Sequence, residues 1–425
     1  MRVFLDTVGC RLNQSEIEAM AGQFRAAGHE IVGAAGAADL AVVNTCAVTA
    51  RAASDSRAAI RRSARAGAMG IVATGCWVSL QPVAASVLTG VKRVVINADK
   101  DRLVGQVLGL PEREFESEPL ARRPLPGLRH RTRAFIKAQD GCDNYCTFCV
   151  TTLARGGQRS RPTASVLADI EAARRGGAQE IILTGVHLGS WGQDQGSHLR
   201  CLVRDILRET DVPRLRLSSL EPWDLDEEFF SLWEDPRLCQ HLHLPLQSGC
   251  ATTLKRMARR VTPRSFGNLV AAARKAMPEV AITTDVIAGF PGETEDEFQE
   301  SLAFVREVGF AGGHAFAFSP RPETAASRLG NQVPPQVSHE RNTIYRSLFD
   351  EQARTHREGL IGQTVHVLWE ATTQLGRRGW RHEGWSENYV RVSAWAPAPR
   401  WNMIDAVELT GSSEGGLNGV LCNSG

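Results

Sequence analysis

The 425-residue chain has no apolar run long enough to cross a bilayer, and its Met1-Arg-Val-Phe-Leu5 start has no signal-peptide layout. Neither a membrane anchor nor export is expected, and a cytoplasmic setting is. An excess of charge of one sign is also missing. Lys and Arg number 49 against 47 Asp and Glu, a formal net of +2, so total charge points to no class of partner and only local clustering could. Apolar material is not short: 43% hydrophobic residues suffice for two or three cored domains. In a cytoplasmic protein the ten cysteines read better as metal ligands than as disulfides. Six fall in patterned positions. Cys201, Cys239, Cys250 and Cys422 do not, and are expected to be ordinary buried thiols.

The strongest pattern is Gly141-Cys-Asp-Asn-Tyr-Cys-Thr-Phe-Cys-Val150, a C-x3-C-x2-C loop of Cys142, Cys146 and Cys149. A cubane iron–sulfur cluster has four irons and normally four thiolates. Three cysteines leave one iron open for another ligand. Zinc, the other common home for clustered cysteines, usually takes C-x2-C pairs and a fourth protein ligand, and none follows here. The segment resembles the radical S-adenosylmethionine (SAM) superfamily. That resemblance implies an open iron that chelates SAM and a cleavage giving a 5′-deoxyadenosyl radical.

In the first third, Val3–Leu5, Asp39–Val43 and Gly70–Ala73 read as apolar strands separated by helical runs, the first from Ser15 to near Gly28. Alternation of this kind predicts a parallel, doubly wound α/β domain, whose strand carboxyl ends form the working edge. Cys10, Cys46 and Cys76 each follow one of these strands. Three distant thiols therefore gather at one edge, which suggests a second three-thiolate site.

Six further strand-like runs, each followed by a helical stretch, lie between 133 and 353: Phe135–Ala138, Ile181–Thr184, Leu215–Ser218, Leu242–Leu244, Ile282–Val286 and His314–Phe318. Repeated β/α units suggest a barrel of six strands rather than eight, with the cysteine loop on its carboxyl-end face. Phe148 reads equally well as an adenine contact of this superfamily or as a packing aromatic. The glycine-bearing Ile287–Glu293 run after the fifth strand could let backbone approach a flat ligand.

From about Gly359 the character changes. Gln363–Leu368 and Glu387–Val392 alternate as strands, with loops between them rich in Gly, Arg and Trp. Trp369, Trp380, Trp385, Trp395 and Trp401 lie here beside several arginines. That mixture suits RNA through stacking and phosphate contact, although at least two tryptophans are expected in the core of a small β-barrel. The basic stretch Arg122–Arg133 reads as a Pro/Gly-broken linker, with phosphate contact or simple solvation equally open.

Taken together, Gly9–Gln14, Asn44–Thr49, Thr74–Cys76, Gln139–Cys142, His243–Gly249 and Ala288–Thr294 resemble the methylthiotransferase family of radical SAM enzymes over nearly the whole chain. Asn44–Thr49, Leu183–Gly189, Leu217–Pro222 and Phe318–Pro322 are most similar to the branch acting on N6-threonylcarbamoyladenosine, beside the anticodon of tRNA. Sister branches act on isopentenyladenosine in tRNA or on an aspartate of ribosomal protein S12.

The resemblance implies the following layout. Residues 1–115 form the α/β domain, 116–132 a linker, 133–357 a partial (β/α)6 TIM-like radical SAM barrel, and 358–425 a TRAM-like RNA-binding β-barrel and tail. Two 4Fe–4S clusters are implied, one on Cys142, Cys146 and Cys149, the other on Cys10, Cys46 and Cys76, with SAM lined by Phe148, Ser218, Gln247 and Gly289. Arg155, Arg159, Arg161, Arg381, Tyr389 and Arg391 are the expected RNA contacts. The partners would be a tRNA anticodon stem-loop and an electron donor such as flavodoxin or ferredoxin, with the enzyme a monomer. One SAM would methylate a sulfur on the second cluster, and another would start the radical transfer to carbon 2 of adenine. Three departures stand out: the family usually has proline at Thr152 and glycine at Glu323, and the tail is unusually rich in tryptophan.

Overall fold

The computed structural model describes residues 1–110 and 132–422, so the expected linker lies outside the described residues except for Thr132. The first part of the chain builds a five-stranded parallel sheet from β1 (Arg2–Thr7), β2 (Glu30–Val32), β3 (Leu40–Thr45), β4 (Ile71–Gly75) and β5 (Val91–Val95), in the order β2-β1-β3-β4-β5. The three expected strands are its centre. Both edge strands escaped the reading, β2 because it has only three residues and β5 because Lys92 and Arg93 break its apolar run. β3 is buried nearly end to end because helices cover both faces: Val3, Ile17, Met20, Val42 and Leu103 pack on one side, and Val43, Ile60, Ala73 and Trp77 on the other. In this strand order the topological switch point lies between β1 and β3, where α/β sheets open their ligand crevice.

The middle of the chain supplies six parallel strands in sequence order. β6 (Arg133–Lys137) is followed by a short ribbon, β7 (Gln139–Asp140) with β8 (Arg159–Ser160). Then come β9 (Glu180–Thr184), β10 (Arg214–Leu217), β11 (His241–His243), β12 (Ala281–Ala288) and β13 (Gly312–Ala317). They pair as two three-stranded sheets, β10-β9-β6 and β11-β12-β13, joined where the Leu220 amide donates to His243 O at 3.0 Å. Ile181, Leu183, Leu215 and Leu217 pack outward into the helical layer, and the alternate residues Glu180, Arg214 and Arg216 take the other face. The result is an open arc. The first helix, Arg11–Ala26, lies against β6, where Ser15 Oγ accepts the Lys137 amide at 3.2 Å.

A 25-residue helix, Pro335–Gly359, packs on β12 and β13 and leads into a closed barrel. Its strands are β14 (Thr364–Gly376), β15 (Gly379–Ser386), β16 (Arg391–Ala396), β17 (Ile404–Ser413) and β18 (Gly416–Leu421), ordered β14-β15-β16-β18-β17. Three sequence expectations fail here. Residues 387–390 form a turn rather than a strand: Ser386 Oγ accepts the Val390 amide at 3.0 Å, and Tyr389 takes a φ of +64°. The Gly/Trp/Arg stretch assigned to a loop is β15, masked because its inward residues are His382, Gly384 and Ser386. Of the five tryptophans only Trp369 is in the core, where at least two were expected.

The turn after β15 plugs the open arc. Arg216 donates to Ser386 O at 3.1 Å and Glu387 O at 3.0 Å, and Arg214 to Trp385 O at 3.1 Å. Tyr389 stacks between His241 (4.6 Å) and Trp385 (4.7 Å), and its hydroxyl accepts from Arg11 at 2.8 Å. Glu180, fully buried, makes an ion pair with each of the two arginines, at 2.7 Å from Arg214 and 2.8 Å from Arg216. Glu323, where the family usually carries glycine, adopts a φ of +77°. Glu323→Gly should therefore stabilise the protein by about 0.5–1 kcal/mol after the extra unfolded-state entropy of glycine is subtracted, read as a rise in the urea midpoint.

Candidate active site

Cys10, Cys46 and Cys76 sit at the carboxyl ends of β1, β3 and β4, on the switch-point edge. Cys10 is the N-cap of helix Arg11–Ala26, and Cys76 opens helix Cys76–Leu80. Gly75 brings the last two together. Its φ is +99°, and a Cβ there would stand 2.3 Å from Thr45 O and 2.4 Å from Thr45 N, so only glycine lets β4 end this close to Cys46. Burial pushes the Cys46 thiol up to about 11, and the neighbouring Cys10 and Cys76 add to the rise. Thiols this reluctant to ionise release their protons to a metal rather than to solvent.

Cys142, Cys146 and Cys149 leave β7 on a loop pinned at several points. Gly141 turns it at a φ of +70°, and a Cβ would fall 1.9 Å from Gly157 O. The Cys142 amide donates to Gly156 O at 3.1 Å, the Thr147 amide to Met257 O at 3.1 Å, and the Ala326 amide to Thr147 O at 2.8 Å. The Thr151 amide donates to Cys149 Sγ at 3.3 Å. One terminal nitrogen of Arg259 reaches Cys146 Sγ at 3.8 Å and Glu221 at 3.0 Å, while the other donates to Glu221 and Pro245 O. His187 pairs with Asp224 at 2.5 Å and with Asn144. Burial alone would lower its pKa, but Asp224 and Cys142 push it up to about 9. Among the described residues no three such ligands converge on one point as a single ion requires. A cubane holds each thiolate on a different iron, so its ligands stand further apart. The donor sets and the N–H groups aimed at sulfur fit such a cluster in both places, since hydrogen bonds to the sulfurs are one of the protein's levers on it.

The two trios share a wall. Helices Cys76–Leu80 and Thr151–Arg155 pack together, with Val150, Ala154, Cys76 and Trp77 in one apolar cluster. Arg155, expected on RNA, is buried here instead and makes an ion pair with both Glu16 and Asp140. Lys100 meets Glu16 at 2.8 Å, and both are buried. Burial opposes its charge, yet Arg155 and Lys100 hold Glu16 well below the usual carboxylate range. Sequence reasoning missed Glu16, Lys100, Asn97, Asp140, His187 and Asp224, because nothing local distinguishes a buried ion from a solvated one.

Of the expected SAM-lining residues, Ser218 follows β10 and its buried Oγ has no hydrogen-bond partner, as a group awaiting a ligand would. Gln247, at a φ of +71°, is bridged to Val286 by its backbone. Phe148 packs edge-on to Phe290, with centroids 6.4 Å apart. Gly289 serves packing: its Cβ side is filled by Ser338 Oγ at 2.4 Å and its N–H is taken by Glu293 at 2.8 Å. Thr152 occupies the first turn of its helix, a place that also accepts proline.

The expected RNA contacts divide. Arg159 and Arg391 face solvent, Arg391 in an ion pair with Glu383. Arg161 is held by Lys137 O and Asp169, and Arg381 is half-buried against Ser393. Arg155 and Tyr389 are corrections, since both spend their polar groups inside the protein. Cys422 is exposed and Cys201 half-exposed, against the expectation of burial that Cys239 and Cys250 meet.

An α/β sheet docked on an open six-stranded arc, with three cysteines leaving its first strand, defines a radical SAM protein. The radical SAM superfamily matches residues 136–305, and the uncharacterized protein family UPF0004 matches residues 2–96. The threonylcarbamoyladenosine tRNA methylthiotransferase MtaB of Bacillus subtilis is 33% identical over 92% of this chain and 89% of its own length. The MtaB of Thermotoga maritima is 36% identical over 92% and 90%. A tRNA-2-methylthio-N(6)-dimethylallyladenosine synthase of Maricaulis maris is 31% identical over 100% and 98%. In fold, the chain is similar to the radical SAM methyltransferase TsrM of Kitasatospora setae, with a TM-score of 0.59 at 16% identity over 77% of each chain. The chain belongs to the radical SAM methylthiotransferase family. It is an enzyme of that type, working with an iron–sulfur cluster and SAM. Among the described residues no helix is long and apolar enough to cross a membrane.

Proposed function

We propose that this enzyme converts N6-threonylcarbamoyladenosine, 3′ to the anticodon in tRNA, into its 2-methylthio derivative, with two 4Fe–4S clusters. The observation that carries this reading is the pair of three-cysteine sets, at the working edges of two different sheets, meeting across one wall. When bound, the clusters and SAM supply the radical and sulfur-transfer chemistry that an unactivated aromatic carbon needs.

The chain's own residues do the rest. Cys10, Cys46 and Cys76 would hold the cluster that supplies the sulfur to be delivered, and Cys142, Cys146 and Cys149 the one that takes SAM. Ser218, whose buried hydroxyl lacks a partner, would line SAM together with Phe148 and Gln247. Exposed Val48, Tyr145 and Leu153 stand next to these cysteines or one turn beyond them and give a splayed base an apolar and aromatic surface to lie on. Arg159 beside the cluster loop and Arg391 on the C-terminal barrel would meet phosphate. The divisions at 1–115, 133–357 and 358–425, the monomer, a cytoplasmic setting and a flavodoxin- or ferredoxin-type electron donor belong to the same proposal.

Mass spectrometry of tRNA nucleosides from cells with and without the gene is the test. Loss of 2-methylthio-N6-threonylcarbamoyladenosine alone is expected. Loss of the isopentenyl derivative would move the enzyme to the sister branch, and an unchanged profile in cells lacking any second such enzyme would end the proposal.

A further inference from the structure

Arg155 is buried, and each of its five N–H donors has a partner. Nε–H points at Cys76 Sγ at 3.3 Å. One terminal nitrogen donates to Glu16 at 2.9 Å and Asp140 at 2.8 Å, the other to Asn13 at 2.8 Å and Glu16 at 3.3 Å. Those partners lead to every other part of the double site. Asn13 donates to Val8 O and Thr45 O, at 2.8 and 3.0 Å, fixing the backbone just ahead of Cys10 and Cys46. Asp140 accepts the Gly141 amide at 2.8 Å, just ahead of Cys142. The Arg155 backbone itself lies six residues after Cys149.

Charge in this wall closes on the carboxylates, with the Arg155 fork reaching past them to sulfur. Glu16 and Asp140 bring two negative charges; Arg155, Lys100 and Lys137 bring three positive ones. Lys137 has an exposed partner in Asp101, but Arg155 and Lys100 have none beyond the shared carboxylates. The Nε–H edge of Arg155 is nevertheless directed at Cys76, which also receives the Asn97 side-chain amide at 3.6 Å. A buried cation this close favours whichever state of an adjoining cluster carries more negative charge, and that is the reduced one.

We infer that Arg155 is a positioning residue that fixes the auxiliary trio against the cluster loop and, through its hydrogen bond to the Cys76 thiolate, raises the reduction potential of the auxiliary cluster. This rests on the two-cluster reading above. Neither Glu16 nor Asp140 can take over the task, because each only accepts hydrogen bonds and would repel a thiolate.

The test uses full-length protein purified without oxygen, with iron counted per chain and both clusters titrated electrochemically under EPR. Wild type should hold roughly eight irons and show two midpoints. In Arg155→Gln the auxiliary midpoint should move to more negative potential while that of the radical SAM cluster stays. Deoxyadenosine released per methylthiolated tRNA should rise roughly tenfold or more, as loss of a buried supporting contact to a metal ligand does. Arg155→Lys keeps the charge but not the fork, and should fall between the two. Asn97→Ala removes the weaker donor and should shift the same midpoint less. Should Arg155→Gln lose its auxiliary iron, Arg155→Lys decides in its place. Two clusters with unchanged auxiliary midpoints in Arg155→Lys and Asn97→Ala would overturn the inference alone. A wild type with only one cubane would overturn the two-cluster reading instead.

Discussion

Cys76→Ala is expected to cut the iron of the anaerobically purified protein from roughly eight to roughly four per chain while SAM cleavage under reductant persists. The loop of Cys142, Cys146 and Cys149 is anchored by Gly156, Met257 and Ala326, none of which depends on Cys76. Methylthiolation of tRNA should nevertheless fall by at least about a hundredfold, since removing a ligand costs more than removing one of its supporting contacts. Cys146→Ala should give the converse: the auxiliary iron stays and SAM cleavage stops. The pair of variants thus separates the two sites by iron count and by product. Full methylthiolation in Cys76→Ala would sink the assignment of that trio.

The second large effect is on stability. Glu180 is the only carboxylate within ion-pairing reach of Arg214 and Arg216 among the described residues. Glu180→Gln would leave two buried guanidinium groups without a counter-charge, at a cost of about 3–5 kcal/mol. Both arginines also hold the turn that plugs the arc. Hydrogen exchange at Ser386–Val390 should therefore rise with the loss of global stability. The pH response has a definite sign. Burial works against ionisation, but Arg216 and Arg214 bring the Glu180 pKa down from 4.5 to about 2. A depressed carboxylate stabilises the fold fully above its unfolded pKa. That contribution fades as pH falls from about 4.5 to about 2, so wild type should lose stability through this window and Glu180→Gln should lose less. An equally steep acid loss in the variant would show that other carboxylates dominate.

How much of this was legible in the chain varies by element. The six strands of the arc were readable because each is a short run carrying apolar residues and set off by helical stretches, and the six cysteines because their spacing and their places after strands are local facts. β15 was not readable: its inward positions are His382, Gly384 and Ser386, so hydrophobic alternation is absent where the strand is most buried. Tyr389 and Arg155 looked like RNA contacts for a similar reason. An aromatic or an arginine beside other arginines has the same local signature whether it meets phosphate or a buried carboxylate.

Local spacing, periodicity and backbone preference thus determined the two cysteine trios, the order of β and α units and the glycines before Cys76 and Cys142, since these depend on neighbours a few residues away. Only the tertiary structure decided that Glu16, Asp140 and Arg155 share one buried wall and that a turn near the C-terminus closes the arc. Most of those pairings join residues more than a hundred positions apart, as Glu16 with Arg155 and Arg216 with Ser386. Their energy comes from desolvated charge, which no stretch of sequence displays until the chain has folded around it.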